Sequence, residues 1–266
     1  MLKKRIIPAI DVANNKAVKY VQFRNPTIIG DPAELGQKYA EQGADEILYL
    51  DTTASLQSHE VRHEWIRHVA EQLYVPFSVV GGIRTIDDFK SVLRAGADKV
   101  GVNTAAVNRP ELLSEAADIF GKQCVVLALD AKPVRNNENE IIRWEVYTHS
   151  AHNSSGLDAI EWAQRAEELG AGEIVCTSID RDGMKNGYDN VLLKALTDAV
   201  NIPVIASGGA GSLEHIRDTF IEGQVDAALV ASLLHYGELT VHDIKQYLHD
   251  LGEIPVRYVP TKAAQR

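Results

Sequence analysis

Ile7-Pro8-Ala9-Ile10-Asp11 near the start of the chain and Val126-Leu127-Ala128-Leu129-Asp130 near its middle are two versions of one stretch, a short apolar run ending on an aspartate. The likeness continues outward from both. Leu50-Asp51-Thr52-Thr53 is answered by Thr177-Ser178-Ile179-Asp180, Gly81-Gly82-Ile83 by Ser207-Gly208-Gly209-Ala210, and Val102-Asn103-Thr104-Ala105 by Val230-Ala231-Ser232. Partners stand about 120 to 130 residues apart, close to half the chain. A repeat that long is a half-domain rather than a solenoid unit, and it predicts a pseudo-twofold molecule.

Apolar runs rich in Ile, Val and Leu mark eight strands: Ile6–Ile10, Ile47–Leu50, Phe77–Val80, Val100–Val102, Val125–Leu129, Ile174–Thr177, Val204–Ala206 and Ala227–Val230. They lack polar alternation, as strands buried on both faces do. Amphipathic stretches lie between them. Asp31-Pro32 opens the first helix with a cap and a proline at the first helical position. Further helices are expected over Ile86–Ala95, Glu111–Phe120, Gly156–Leu169, Val191–Val200, Leu213–Glu222 and Val241–Leu251, several with a glycine exit such as Gly96 or Gly170. Eight strands alternating with helices predict one α/β domain over residues 1–266, a (β/α)₈ barrel. Its halves fall at about 1–122 and 123–255, and 261–266 reads as a loose polar tail. An open doubly wound sheet is the alternative; the half-length repeat favours closure. Two segments exceed ordinary loops. Val12–Gly30 is mostly polar and is expected as a lid. Pro133–Ser150 contains Ile141-Ile142-Arg143-Trp144-Glu145-Val146-Tyr147, a small hairpin.

The 266 residues include 45% hydrophobic side chains, ample for one core, and the formal charge of −10 argues against nucleic-acid or anionic-membrane binding through bulk charge. Cys124 and Cys176 make no disulfide framework and read as core thiols in a reducing, cytoplasmic setting. No apolar run is long enough to span a bilayer, and the basic start lacks a signal-peptide core. His59, His63 and His68 lie around one helix without metal-ligand spacing, and neither GxGxxG nor a Walker loop occurs.

Asp11 and Asp130 end the first and fifth strands, which lie opposite each other in an eight-stranded barrel, at the end where barrels carry their chemistry. Two carboxylates across one pocket serve as general acid and general base when their surroundings separate their pKa values. Asp51, Asp180 and Asp182 add to the rim, either to position a substrate hydroxyl or to cap the next turn. Lys19, in the first long loop, is either solvated or folded over the mouth to neutralise developing negative charge. Gly81-Gly82 and Gly208-Gly209 are either tight turns or places where backbone N–H groups approach phosphate oxygens. Each pair is followed by a polar residue at the next strand end, Asn103-Thr104 or Ser232, where a short helix would present its N-terminus to an anion. Two such symmetric sites predict a long, doubly phosphorylated substrate. Arg5, Glu46, Lys99 and Glu173 each precede an apolar run and so ring the opposite end. They are either a salt-bridged plug or a gated entrance for something small.

These residues carry a resemblance. Arg5-Ile6-Ile7-Pro8, Leu50-Asp51-Thr52-Thr53-Ala54-Ser55, Gly96-Ala97-Asp98-Lys99-Val100, Asn103-Thr104-Ala105-Ala106, Thr177-Ser178-Ile179-Asp180-Arg181-Asp182-Gly183, Gly187-Tyr188-Asp189 and Ala206-Ser207-Gly208-Gly209-Ala210-Gly211 resemble the cyclase-subunit family of imidazole glycerol phosphate synthases along nearly the whole chain. The resemblance implies a lyase-type cyclisation in histidine biosynthesis. Ammonia condenses with phosphoribulosyl formimino aminoimidazole carboxamide ribotide, giving imidazole glycerol phosphate and aminoimidazole carboxamide ribotide, with no metal or organic cofactor. It implies that Asp11 and Asp130 are the acid and base, and that Lys19 lies in a closing loop. It places Gly82, Asn103 and Thr104 at one phosphate and Gly183, Gly209 and Ser232 at the other. It makes Arg5, Glu46, Lys99 and Glu173 an ammonia gate, and puts Asp98 at the interface with a glutaminase subunit in a heterodimer. The chain departs from the family pattern at Tyr20, usually glycine, and at Val80-Gly81-Gly82, one glycine short of many members. Pro8-Ala9-Ile10-Asp11 is closer to the sister isomerase of the same pathway. That isomerase, and an ammonia-channelling subunit for surface-polysaccharide amidation, are the alternative functions.

Overall fold

The computed structural model describes residues 2–21, 24–53 and 63–260; His59 and the tail 261–266 lie outside them. The strands are β1 (Arg5–Ala13), β2 (Lys16–Val21), β3 (Arg24–Gly30), β4 (Ile47–Asp51), β5 (Phe77–Val80), β6 (Lys99–Val102), β7 (Val125–Arg135), β8 (Ile141–Thr148), β9 (Asn153–Asp158), β10 (Glu173–Ser178), β11 (Val204–Ser207) and β12 (Ala227–Val230). The helices are α1 (Pro32–Glu41), α2 (His63–Gln72), α3 (Ile86–Ala95), α4 (Thr104–Asn108), α5 (Glu111–Phe120), α6 (Ala159–Glu168), α7 (Asn190–Ala199), α8 (Leu213–Ile221), α9 (Ser232–His235) and α10 (Val241–Leu251). Eight parallel strands run in the order β1, β4, β5, β6, β7, β10, β11, β12, and β12 pairs with β1, so the sheet closes into the expected (β/α)₈ barrel. All eight expected strands belong to it.

Alternate strand residues face two separate cores. Ile6, Ile10, Ile47, Tyr49, Val79, Val100, Leu127 and Ile174 pack outward against the helices. Ile7, Leu48, Val80, Val126, Val175, Ile205, Ala227 and Leu229 fill the bore. Each fully buried Ile or Leu contributes roughly 1.5–3 kcal/mol relative to exposure, and this double burial is why the strands read as continuous apolar runs. Side-chain caps start the helices: Asp31 on α1, Thr85 in a capping box with Asp88 on α3, Asp158 on α6 and Ser212 on α8. Gly96 closes α3 with φ +119°, the left-handed exit that its position predicts.

Three expectations change. The described residues of the Val12–Gly30 segment form an antiparallel ribbon: β1 continues past Asp11 and pairs with β2, which pairs with β3. Two lysines in β2 and a proline in β3 interrupt the apolar pattern, so a hydrophobicity reading misses the pairing. The Pro133–Ser150 hairpin is formed by β7 itself, which runs on to Arg135 and pairs with β8. A further strand, β9, occupies residues expected at the start of a helix, because Asp158 accepts from Ile160 and Glu161 N–H and delays α6 to Ala159. Both first strands of the half-barrels therefore extend into three-stranded flaps above the mouth. Cys176 is buried as expected, whereas Cys124 is only half-buried in the 3₁₀ turn before β7.

Candidate active site

The period-two alternation that turns Ile7 and Ala9 into the bore also turns Asp11 inward at the top, and Val126 and Ala128 do the same for Asp130. Burial raises the Asp11 carboxyl to about 6; Lys19 opposes the rise and Asp182 adds to it. Burial raises Asp130 further, to about 7, with Asp182 adding and a hydrogen bond from Asn103 opposing. Asp182 is itself raised by burial, against the pull of Lys19 and the Gly183 backbone. Sequence placed Asp182 on the rim; the structure makes it the carboxylate felt by both aspartates. Its position comes from a tight turn in which Asp182 N–H bonds the Ser178 carbonyl at 3.0 Å.

Asn103 is oriented by two bonds from its amide nitrogen, to Asp130 Oδ2 and to the Tyr147 carbonyl, both 3.0 Å. Its Oδ1 is buried and has no partner among the described residues. Thr104 Oγ1 accepts the His149 N–H at 3.0 Å, tying the second flap to the mouth. Asp51 is buried and accepts from Thr53 N and Oγ1, so it holds its own turn. Asp180 is exposed on the rim. Sequence reasoning missed His235, whose imidazole is pushed down to about 4 by burial and by Lys19 and so stays neutral. Its Nδ1 lies 2.7 Å from the Tyr39 hydroxyl. No motif marks this pair, because the partners are 196 residues apart.

The two halves match in backbone detail. Gly81 and Gly82 have φ of +104° and +72°, Gly208 and Gly209 of +85° and +112°, and Gly183 of +75°. A Cβ on Gly81 would meet the Asp51 carbonyl oxygen at 2.4 Å, and one on Gly208 the Ser178 carbonyl oxygen at 2.9 Å. The short helices α4 and α9 are entered through Asn103 (φ −120°, ψ −87°) and Ala231 (φ −123°, ψ −77°), and neither start carries a side-chain cap. Ser232 is thus the first residue of α9 as Thr104 is of α4.

At the far end of the bore the four charged residues meet. Arg5 Nη1 and Lys99 Nζ reach Glu46 Oε2 at 3.0 and 2.8 Å, and Arg5 Nη2 and Lys99 Nζ reach Glu173 Oε1 and Oε2 at 2.5 and 2.7 Å. The acids are nearly sealed, with side chains 4% and 7% exposed, while Arg5 and Lys99 remain 24% and 19% exposed. Ser78 Oγ completes the floor by donating to Glu46 Oε1, a member the sequence reading did not include. Asp98, one residue outside the ring, accepts the Phe77 N–H at 2.9 Å and donates its own N–H to the Phe77 carbonyl. Asp226 clamps Val204 in the same way in the other half.

A closed (β/α)₈ barrel with inward-facing carboxylates raised toward neutrality at its C-terminal mouth defines the acid–base class of barrel enzymes. Residues 5–240, nearly the whole chain, match the family described as histidine biosynthesis protein. The chain belongs to that family, and it is an enzyme of histidine biosynthesis. Among the described residues no helix is long and apolar enough to cross a membrane.

Proposed function

We propose that the chain is the cyclase subunit of imidazole glycerol phosphate synthase, taking ammonia from a glutaminase partner. The observation that carries this reading is the barrel floor. Arg5, Glu46, Lys99 and Glu173 close one end of an apolar bore whose other end holds Asp11 and Asp130. An isomerase needs no second entrance. Neutral ammonia passes an apolar bore far more easily than ammonium does. Lys99, a flexible and partly exposed side chain, is the member best able to swing. The partner then docks on the floor side, where Asp98 is exposed, to form a heterodimer.

At the mouth, Asp11 has Lys19 beside it and ionises first, which suits it to be the general base. Asp130 has an amide rather than a cation as its neighbour, keeps its proton to higher pH and suits the general acid. Ammonia attacks the ribulosyl carbonyl; the base takes a proton from the attacking nitrogen and the acid gives one to the carbonyl oxygen. The resulting hydroxyl leaves as water with the proton the base returns, giving an iminium. Its nitrogen, after losing a proton, closes on the formimino carbon and expels aminoimidazole carboxamide ribotide as the free amine. The two uncapped helix starts and positive-φ glycine turns support a phosphate at each side of the mouth. Gly82, Asn103 and Thr104 hold one; Gly183, Gly209 and Ser232 hold the other. Asp182 positions the substrate between them.

The sister isomerase remains the competing reading on the strength of Pro8-Ala9-Ile10-Asp11. Purified protein given the ribulosyl intermediate and ammonium salt at alkaline pH should release both products. Formation of that intermediate from its ribosyl precursor, without cyclisation, would select the isomerase.

A further inference from the structure

The ribbon that carries Lys19 is joined to β1 by only three residue pairs, Asp11 with Val18, Val12 with Ala17 and Ala13 with Lys16. A two-stranded ribbon is marginal without further support. Ala17 and Val18 bury its base, and a further tie comes from the residue after the lysine. The Tyr20 hydroxyl lies 2.8 Å from Thr52 Oγ1, and Thr52 Oγ1 lies 3.2 Å from the Val12 carbonyl oxygen. A carbonyl can only accept, so the single threonine proton goes to Val12 and Tyr20 must donate to Thr52. Val12 directly follows Asp11, so the chain of bonds ends one residue from the base.

The strand geometry shows why Lys19 and Tyr20 reach different targets. Pairing between β2 and β3 shifts register between Lys19 and Val21, where Asn25 and Pro26 of β3 stand opposite the single residue Tyr20, so the extra residue lies on β3 and β2 keeps its regular alternation. Successive side chains of a strand point to opposite faces, so Lys19 and Tyr20 are directed apart. Lys19 acts on Asp11, Asp182 and His235, while Tyr20 reaches across to the end of β4.

We propose that Tyr20 is a positioning residue whose hydroxyl latches the first ribbon onto Thr52 and thereby holds the Lys19 ammonium near Asp11 and Asp182. This rests on the reading of Asp11 as the base, but its central test needs no substrate. The charged groups acting on Asp11 are Lys19, which favours its ionised form, and Asp182, which opposes it. Loosening the latch therefore moves the Asp11 titration upward.

The experiment titrates the Asp11 carboxyl by carbon-detected NMR in the full chain and in Tyr20→Phe, Thr52→Val and Lys19→Ala, with ammonia-dependent turnover of the ribulosyl intermediate measured alongside. Tyr20→Phe and Thr52→Val break the same relay from its two ends, so misfolding of one leaves the other informative. Both should raise the Asp11 midpoint in the direction of Lys19→Ala. Both should lower kcat by about three- to tenfold, the reach of one neutral hydrogen bond, with KM changed less. Adding Tyr20→Phe to Lys19→Ala should cost nothing further. An unmoved Asp11 midpoint in both relay variants overturns the latch, as does an equal loss from Tyr20→Phe with and without Lys19. A midpoint that moves as expected in a protein that never cyclises the intermediate upholds the latch and removes the cyclase reading instead.

Discussion

Glu46 and Glu173 face each other across the barrel floor, and each accepts from both Arg5 and Lys99. They occupy equivalent places in the two half-barrels, immediately before Ile47 and Ile174. The cations do not share that symmetry: the residue before β7 in the place of Arg5 is Cys124, and Ala227 stands where Lys99 would recur. Two acids from the repeat are thus neutralised by two bases that are not repeated, and the floor is closed without a net charge.

Opening that floor is expected to separate two activities. Lys99→Ala should depress glutamine-dependent turnover, assayed with the glutaminase partner, more than turnover with added ammonium salt. Equal losses in the two assays would argue that Lys99 is only part of a plug.

Glu46→Gln tests the floor as a structural element. It leaves Arg5 and Lys99 without half of their compensation beside a nearly sealed site, so it should destabilise the chain by about 3 kcal/mol. Urea unfolding reads this directly; a change below the scatter of replicate midpoints would show that solvent screens the ring.

Asp11→Asn and Asp130→Asn should each nearly abolish cyclisation while leaving the circular dichroism of the barrel unchanged. Near-normal ammonia-dependent turnover in either variant removes that residue from the mechanism.

Asp130→Asn also carries a pH signature in stability. The carboxyl is pushed up to about 7 in the fold from a reference of 3.8. Between those values the folded chain binds more protons than the unfolded chain, so stability falls as pH rises through the window. The neutral amide escapes that loss. Its thermal stability should exceed that of the parent by on the order of 2–4 kcal/mol at pH 8, allowing for coupling to Asp182, and the gain should vanish near pH 4. A difference independent of pH would mean that Asp130 is not held protonated.

Gly209→Ala and Gly183→Ala contrast close packing with backbone strain alone. A Cβ at Gly209 would sit 2.2 Å from the Gly187 carbonyl oxygen at φ +112°, whereas Gly183, at φ +75°, has open space around it. Gly209→Ala should cost more than about 2 kcal/mol, and Gly183→Ala about 1 kcal/mol. On the phosphate reading, Gly183→Ala should raise KM more than it lowers stability. Thermal melts and substrate titration check both.

The eight barrel strands were legible because each is buried on both faces, so its apolar run survives without any knowledge of its neighbours. The flaps were not, since β2, β3 and β9 are short strands outside the barrel whose pairing depends on β1 and β7 extending beyond their aspartates. At the site, strand-end position identified Asp11, Asp130 and the floor ring. It could not find Ser78 beneath Glu46, or the neutral pair of Tyr39 and His235, because such contacts join positions far apart in the chain.

What the chain determined by itself was the list of inward positions: alternation along a strand is local, so an aspartate two residues beyond Ala9 or Ala128 must share its face. Only tertiary structure decided what those positions do to one another. The β1–β2 pairing brings Lys19 to Asp11, the packing of the barrel strands brings Asp182 to Asp11 and Asn103 to Asp130, and the proton affinity of a buried carboxyl is set by such neighbours and by lost solvent, neither of which is written in its own segment.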